Sequence, residues 1–224
     1  AAGPAIACHV KDLFLTTPSI NGVVNDLTVA AAKIAGIEKV AKLGGAQAIA
    51  AFSYGTESIP KVDKIVGPGN AYVAEAKRQL FGTVGIDSIA GPSEIIVLAN
   101  ETSSPEIVAW DLMAQAEHDQ DASSILICNS NEVIEEIKQI IANELPKLER
   151  AKIIKSSLTN NGLIIKIESL EQSIEIINRF SPEHLHLAFD GNEIDADDLI
   201  AGIVLLGSDS AVSFSDYVLG PSHI

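Results

Sequence analysis

Short apolar runs alternate with helical patterns along almost the whole 224-residue chain, and Gly-containing turns separate them. Runs at 12–16, 39–43 and 62–66 lead into helical patterns at 24–35, 46–54 and 71–80. The rhythm resumes after Gly91-Pro92, with runs at 95–99, 124–128, 163–167, 185–189 and 203–206. Between these lie a helical pattern ending at His118 and others over 132–145, 171–180 and 195–201. This is the spacing of βαβ units, in which helices cover a parallel sheet. The expected fold class is α/β, with two Rossmann-like parallel-sheet blocks that are incompletely doubly wound. The Gly-Pro turn puts their boundary near 91–93, giving blocks 1–92 and 93–224.

Composition removes several functions. The chain carries a net charge of −15 and no basic run, which argues against nucleic acid or an anionic membrane as partner. Its apolar stretches stop short of a bilayer span. Cys8 and Cys128 are too few for a disulfide framework or a Cys-rich zinc site. Cys128 ends an apolar run and reads as a buried structural thiol rather than a nucleophile. With no signal peptide, the expected compartment is the cytoplasm. The chain starts without Met and stops after Gly220-Pro221-Ser222-His223-Ile224, so both ends read as cut.

Five places could carry chemistry. In the helix ending at His118, Gln115 and His118 stand three apart, which predicts a shared face. Ile107, Trp110, Ala114 and His118 mark the stripe expected to face the core. Imidazole is a good zinc ligand and an amide oxygen a weak one, so Gln-x-x-His alone is a weak signal and reads more readily as a solvated or hydrogen-bonded face. Gly44-Gly45-Ala46-Gln47 and Gly67-Pro68-Gly69-Asn70 each follow a strand and open a helix, the layout of a phosphate-binding turn. Neither matches the G-x-G-x-x-G fingerprint. Gln47 and Asn70 could donate to a cofactor or cap their own helices. In Ser181-Pro182-Glu183-His184, neighbouring Glu and His could divide acid and base work, or be turn residues. His186 shares the strand face of His184 without further support. Asp216 and His223, near the end, could be a metal ligand and a polar neighbour, or plain loop residues.

The ordered combination is more specific than its parts. The segments GGAQAIAA (44–51), VDKIVGPGNAYV (62–73), AGPSE (90–94), AQAEHD (114–119), SPEHL (181–185) and SDYVLGPSH (215–223) occur in one series. That series closely resembles the histidinol dehydrogenase family from residue 12 to 224. The resemblance implies oxidation of L-histidinol through L-histidinal to L-histidine with two NAD⁺ in succession and a zinc ion, in a homodimer. It implies Gln115, His118 and Asp216 as zinc ligands and Glu183 and His184 as the acid–base pair. Ser93, Gln115, His118, His184 and Asp216 match substrate-contacting positions, and Gln47 and Asn70 match NAD-contacting ones.

Two features sit apart from a complete enzyme. The family's chains are roughly twice as long, and a fourth zinc ligand and a substrate-binding glutamate belong to a tail absent from this sequence. The chain is therefore expected to be an incomplete and inactive piece when alone. Gln115/His118 and Glu183/His184 also lie at amino edges of their following strands, opposite to the usual crevice. A site between the two blocks would account for that placement. The competing readings are a zinc hydrolase using Glu183 and a zinc- or nucleotide-binding module without turnover.

Overall fold

Alternation of apolar runs and helical patterns is realised as parallel pairing of every strand among the described residues. The computed structural model describes residues 2–89, 91–191 and 194–217, with backbone alone for Asp216 and Tyr217. The chain divides into two compact units, one up to Gly91 and one from Pro92 onward.

The first unit runs α1 (Ala2–Ala7), β1 (Phe14–Thr16), α2 (Asp26–Ile34), β2 (Lys39–Ala41), α3 (Gly45–Tyr54), β3 (Lys64–Ile65), α4 (Ala71–Leu80) and β4 (Gly85–Ile86). The strands are shorter than the apolar runs suggested. They form two separate parallel ladders, β1 with β2 and β3 with β4. Helix starts follow side-chain chemistry: the Asn25 carboxamide accepts the Leu27 N–H at 2.8 Å and caps α2. Gly36, at φ +74°, ends the same helix, as expected from its position. The Phe14 and Phe52 rings meet at 5.7 Å between centroids and join β1 to α3.

The second unit runs β5 (Glu94–Ala99), α5 (Pro105–His118), β6 (Ser123–Cys128), α6 (Asn131–Glu144), α7 (Ala151–Asn160), β7 (Gly162–Lys166), α8 (Leu170–Phe180), β8 (His184–Leu187), β9 (Ile203–Leu206) and α9 (Ser213–Tyr217). Five strands form one all-parallel sheet in the order β7-β6-β5-β8-β9. Strand β5 is central and buried on both faces, which is why Ile95-Ile96-Val97-Leu98-Ala99 reads as a continuous apolar run. Ile95, Val97 and Ala99 pack with Val108, Ala109 and Leu112 of α5 and Val133 and Ile137 of α6. Ile96 and Leu98 point the other way, toward Ile177 of α8 and Leu185 of β8. Each such side chain contributes about 1.5–3 kcal/mol by leaving water.

Three expectations are corrected. The helix anticipated over 195–201 is only a 3₁₀ turn, Ala196–Asp198. The Asn178 side chain stops it, accepting the Ile200 N–H and donating to the Asp198 carbonyl, each at 2.7 Å. Helix α7 has no counterpart among the expected helical patterns: Pro146 sits in a short 3₁₀ turn, Leu145–Lys147, after which the chain becomes helical again. In α5 the stripe of Ile107, Trp110, Ala114 and His118 faces outward rather than to the core. Trp110 is 39% exposed, while Val108, Ala109, Leu112, Met113, Gln115 and Ala116 are buried. Apolar residues lie all round this helix, so its periodicity alone could not choose the inward face.

Candidate active site

Strand order places the chemistry-bearing residues of the second unit at the amino edge of its sheet. Helix α5 ends at His118, β6 begins at Ser123, β5 at Glu94 and β8 at His184. Parallel register sets Glu94 opposite Ser123, and Ile95 opposite His184. Ser93 is held beside them, its carbonyl accepting the Ser123 N–H at 3.0 Å.

The Glu94 peptide unit brackets the Glu183/His184 pair. Its N–H donates to Glu183 Oε2 at 3.3 Å, and its carbonyl lies 3.1 Å from His184 Nδ1. A carbonyl can only accept, so Nδ1 carries the hydrogen and the imidazole lone pair sits on Nε2. Glu183 Oε2 is 3.7 Å from His184 Nδ1. His184 is 5% exposed, while the Glu183 side chain keeps 30% of its surface in solvent. A backbone segment thus fixes one ring orientation and one carboxylate oxygen.

Gln115 and His118 are separated by the burial of α5. Gln115 is 2% exposed, and its buried amide Nε2 has no hydrogen-bond partner among the described residues. A half-turn of the amide exchanges its nitrogen and oxygen, so either end can occupy that place. His118 is exposed at the last turn. The end of α5 is anchored around it: Glu117 pairs with Arg150 at 2.7 Å, the Asp119 carboxylate accepts the Asp121 N–H, and Ser157 Oγ donates to the Ala122 carbonyl.

Asp216 lies on the short helix α9, but its side chain falls outside the described residues, as does all of His223. No group of three or more His, Cys, Asp and Glu suited to a metal occurs among the described residues. Gln115 is outside that donor set, and Asp216 is outside the described side chains. Cys128 is buried at the far end of β6, and burial pushes its thiol up from the ordinary value against the pull of the Ser130 backbone. A thiol so placed is a poor nucleophile at neutral pH.

In the first unit, Gln47 and Asn70 are both exposed at helix starts. Asn70 caps α4, its Oδ1 accepting the Val73 N–H at 3.2 Å. Gln47 does not cap α3, whose cap is Gly44 without a side-chain bond. The turn before Asn70 needs glycine: Gly67 sits at φ +128°, and a Cβ on Gly69 would come within 2.6 Å of Val73. Sequence reasoning missed the support beneath this turn. Lys77 Nζ reaches Asp87 Oδ1 and the Gly67 carbonyl, each at 2.5 Å, and Asp87 Oδ2 accepts the Gly67 N–H at 2.7 Å. A lysine on a helix and an aspartate after a strand leave no spacing signal for such a contact. Glu94 and Asp111 were missed too. Asp111, a lone carboxylate in the apolar stretch 107–116, was the one findable signal, since a buried acid requires a partner.

A family model described as histidinol dehydrogenase matches residues 1–224. The histidinol dehydrogenase of Pseudomonas fluorescens is 46% identical over 222 residues, taking in 99% of this chain and 50% of its own length. That of Dechloromonas aromatica is 48% identical over 226 residues, covering 99% of this chain and 51% of its own. The crystal structure of histidinol dehydrogenase from Elizabethkingia anophelis superposes with a TM-score of 0.93 at 39% identity, over 99% of this chain and 52% of that one. The chain spans about half the length of the curated relatives it matches.

Proposed function

The chain belongs to the histidinol dehydrogenase family, and from that premise we propose that it contributes the acid–base pair and most of the metal ligands for NAD-linked oxidation of L-histidinol to L-histidine. The observation that carries the proposal is the bracketing of Glu183 and His184 by the Glu94 peptide, which readies a base and a carboxylate side by side. Gln115, His118 and Asp216 would hold zinc. The buried Gln115 amide, whose Nε2 has no partner among the described residues, fits that role once flipped to put its oxygen in that place. Gln47 and Asn70 would meet NAD; the Asn70 cap occupies only Oδ1, so Nδ2 can still donate outward. On this reading the first unit serves the cofactor and the second serves zinc and substrate. When bound, zinc supplies a fixed positive charge that orients the substrate, and NAD⁺ supplies the electron acceptor.

The chain's own residues then have defined tasks. His184 would take the alcohol proton at Nε2, the nitrogen left basic by the Glu94 carbonyl. Glu183 would polarise a water for addition to the aldehyde, held beside His184 by the Glu94 N–H. His184 would accept the second proton as the hydrate is oxidised. Ser93, beside the start of β5, would contact the substrate.

The test is NADH formation from L-histidinol with added zinc, in the chain and in His184→Ala. Loss of rate by about 10²–10⁴-fold in the variant is expected for a general base. An unchanged rate in the variant overturns the base assignment. If the chain alone gives no NADH, the assay is repeated on a chain extended to the length of its relatives. Silence there overturns the activity.

A further inference from the structure

One residue pair outside this machinery joins the three segments that carry it. His186 is wholly buried on β8, two residues beyond His184. Its Nδ1 lies 2.6 Å from Asp111 Oδ2 on α5, and its Nε2 lies 3.0 Å from the Gly207 carbonyl. The carbonyl can only accept, so Nε2 carries a hydrogen. A 2.6 Å contact at Nδ1 is attractive only with a second hydrogen between ring and carboxylate. The pair therefore holds two protons and no net charge, whichever atom keeps the shared one. Asp111 Oδ1 is also used, accepting the Val212 N–H at 3.1 Å just before α9.

The geometry points to Asp111 and His186 as positioning residues that set the placement of β8, α5 and the 207–212 segment relative to one another. This inference rests on the function proposed above, because β8 begins with His184 just after Glu183, α5 carries Gln115 and His118, and the 207–212 segment leads into α9 with Asp216. Gln115 stands one helical turn beyond Asp111 and His118 two turns beyond. Asp111 is 3% exposed and His186 0%, and their hydrogen bonds run to each other and to the backbone of Gly207 and Val212, which is the pattern of a positioning pair. Two leucines would fill the same space without the cost of desolvating charge. What the polar pair adds is direction: three hydrogen bonds that exist at only one arrangement of the segments.

The test compares the 224-residue chain with the double variant Asp111→Leu/His186→Leu and with Asp111→Asn. The double variant keeps apolar packing but leaves the Val212 N–H and the Gly207 carbonyl without partners. The asparagine keeps an acceptor for Val212 and can donate to Nδ1. Hydrogen exchange should quicken across 207–217 in the double variant and not in Asp111→Asn. Zinc affinity, read by competition with a chromophoric chelator, should fall roughly 10-fold or more in the double variant only. In the unaltered chain, NMR should show a slowly exchanging His186 Nε2–H, a readout that stands even if the double variant does not fold. Unchanged exchange over 207–217, a fast-exchanging Nε2–H, or wild-type zinc affinity in the double variant each overturns the inference. Quickened exchange in the double variant with no zinc uptake by the unaltered chain supports the positioning role and overturns the zinc assignment instead.

Discussion

From Pro92 onward, five strands share one sheet, and β5 buries Ile95 to Ala99 against helices on both faces. Up to Gly91, the strands are two or three residues long, in two separate ladders. The buried apolar side chains described there are Ala32, Ala48, Ile49, Phe52 and Val84, while Leu27 is 80% exposed and Ile34 88%. Polar structure takes a correspondingly larger share of this unit. The Lys77–Asp87 pair, with side chains only 4% and 9% exposed, clamps both polar groups of Gly67. The contrast shows that one secondary-structure rhythm can be stabilised by broad apolar burial or by a few directional contacts. It also separates the proposed roles: a glycine turn held by a clamp where a cofactor would bind, and a rigid sheet edge where protons would move.

The largest expected effect falls on the clamp. Lys77→Met leaves Asp87 buried without its cation and should cost about 3–5 kcal/mol, seen as a lower denaturant midpoint for signals from the first unit. Lys77→Met/Asp87→Leu should recover most of that loss; failure to recover would show that the pair contributes more than mutual neutralisation. In the second unit, Leu98→Ala opens a cavity against α8 and β8 and should cost about 2–5 kcal/mol. A loss confined to β5, β6 and β8 in hydrogen exchange would sharpen the contrast, and one spread equally over both units would break it.

The smallest effect is on acid stability. Burial raises the Asp87 pKa, but the Gly67 N–H, Lys77 and the Ser88 N–H outweigh it and hold the carboxyl below its ordinary value. A carboxyl depressed in the folded state stabilises fully above its unfolded value, near about pH 4, and that contribution is lost as pH falls through the folded value. The first unit should therefore loosen first on acidification, with a midpoint that the double leucine–methionine variant shifts downward. Coincident acid transitions of the two units would remove the distinction.

Much of the second unit was legible because its inner strands β5, β6 and β8 are buried on both faces, and β5 and β6 read as unbroken apolar runs such as Ser124-Ile125-Leu126-Ile127-Cys128. The site was legible in part. Glu183-His184 stood out by adjacency, and Gln115 with His118 by spacing. Their partners did not, because Glu94 lies 89 residues from Glu183 and Asp111 75 from His186. The α5 stripe misled for a related reason: Ile107, Trp110 and Ala114 are as apolar as the residues that turned inward.

By itself the sequence determined the α/β class, most strand and helix positions, and a short set of chemically capable residues. These follow from local periodicity, turn chemistry and motif order, all of which act over a few residues. The tertiary structure decided which face of α5 is buried, which nitrogen of His184 keeps its lone pair, and how Asp111, His186 and Val212 meet. Those outcomes depend on strand order and register, which bring backbone and side-chain partners together across distances that no local pattern encodes.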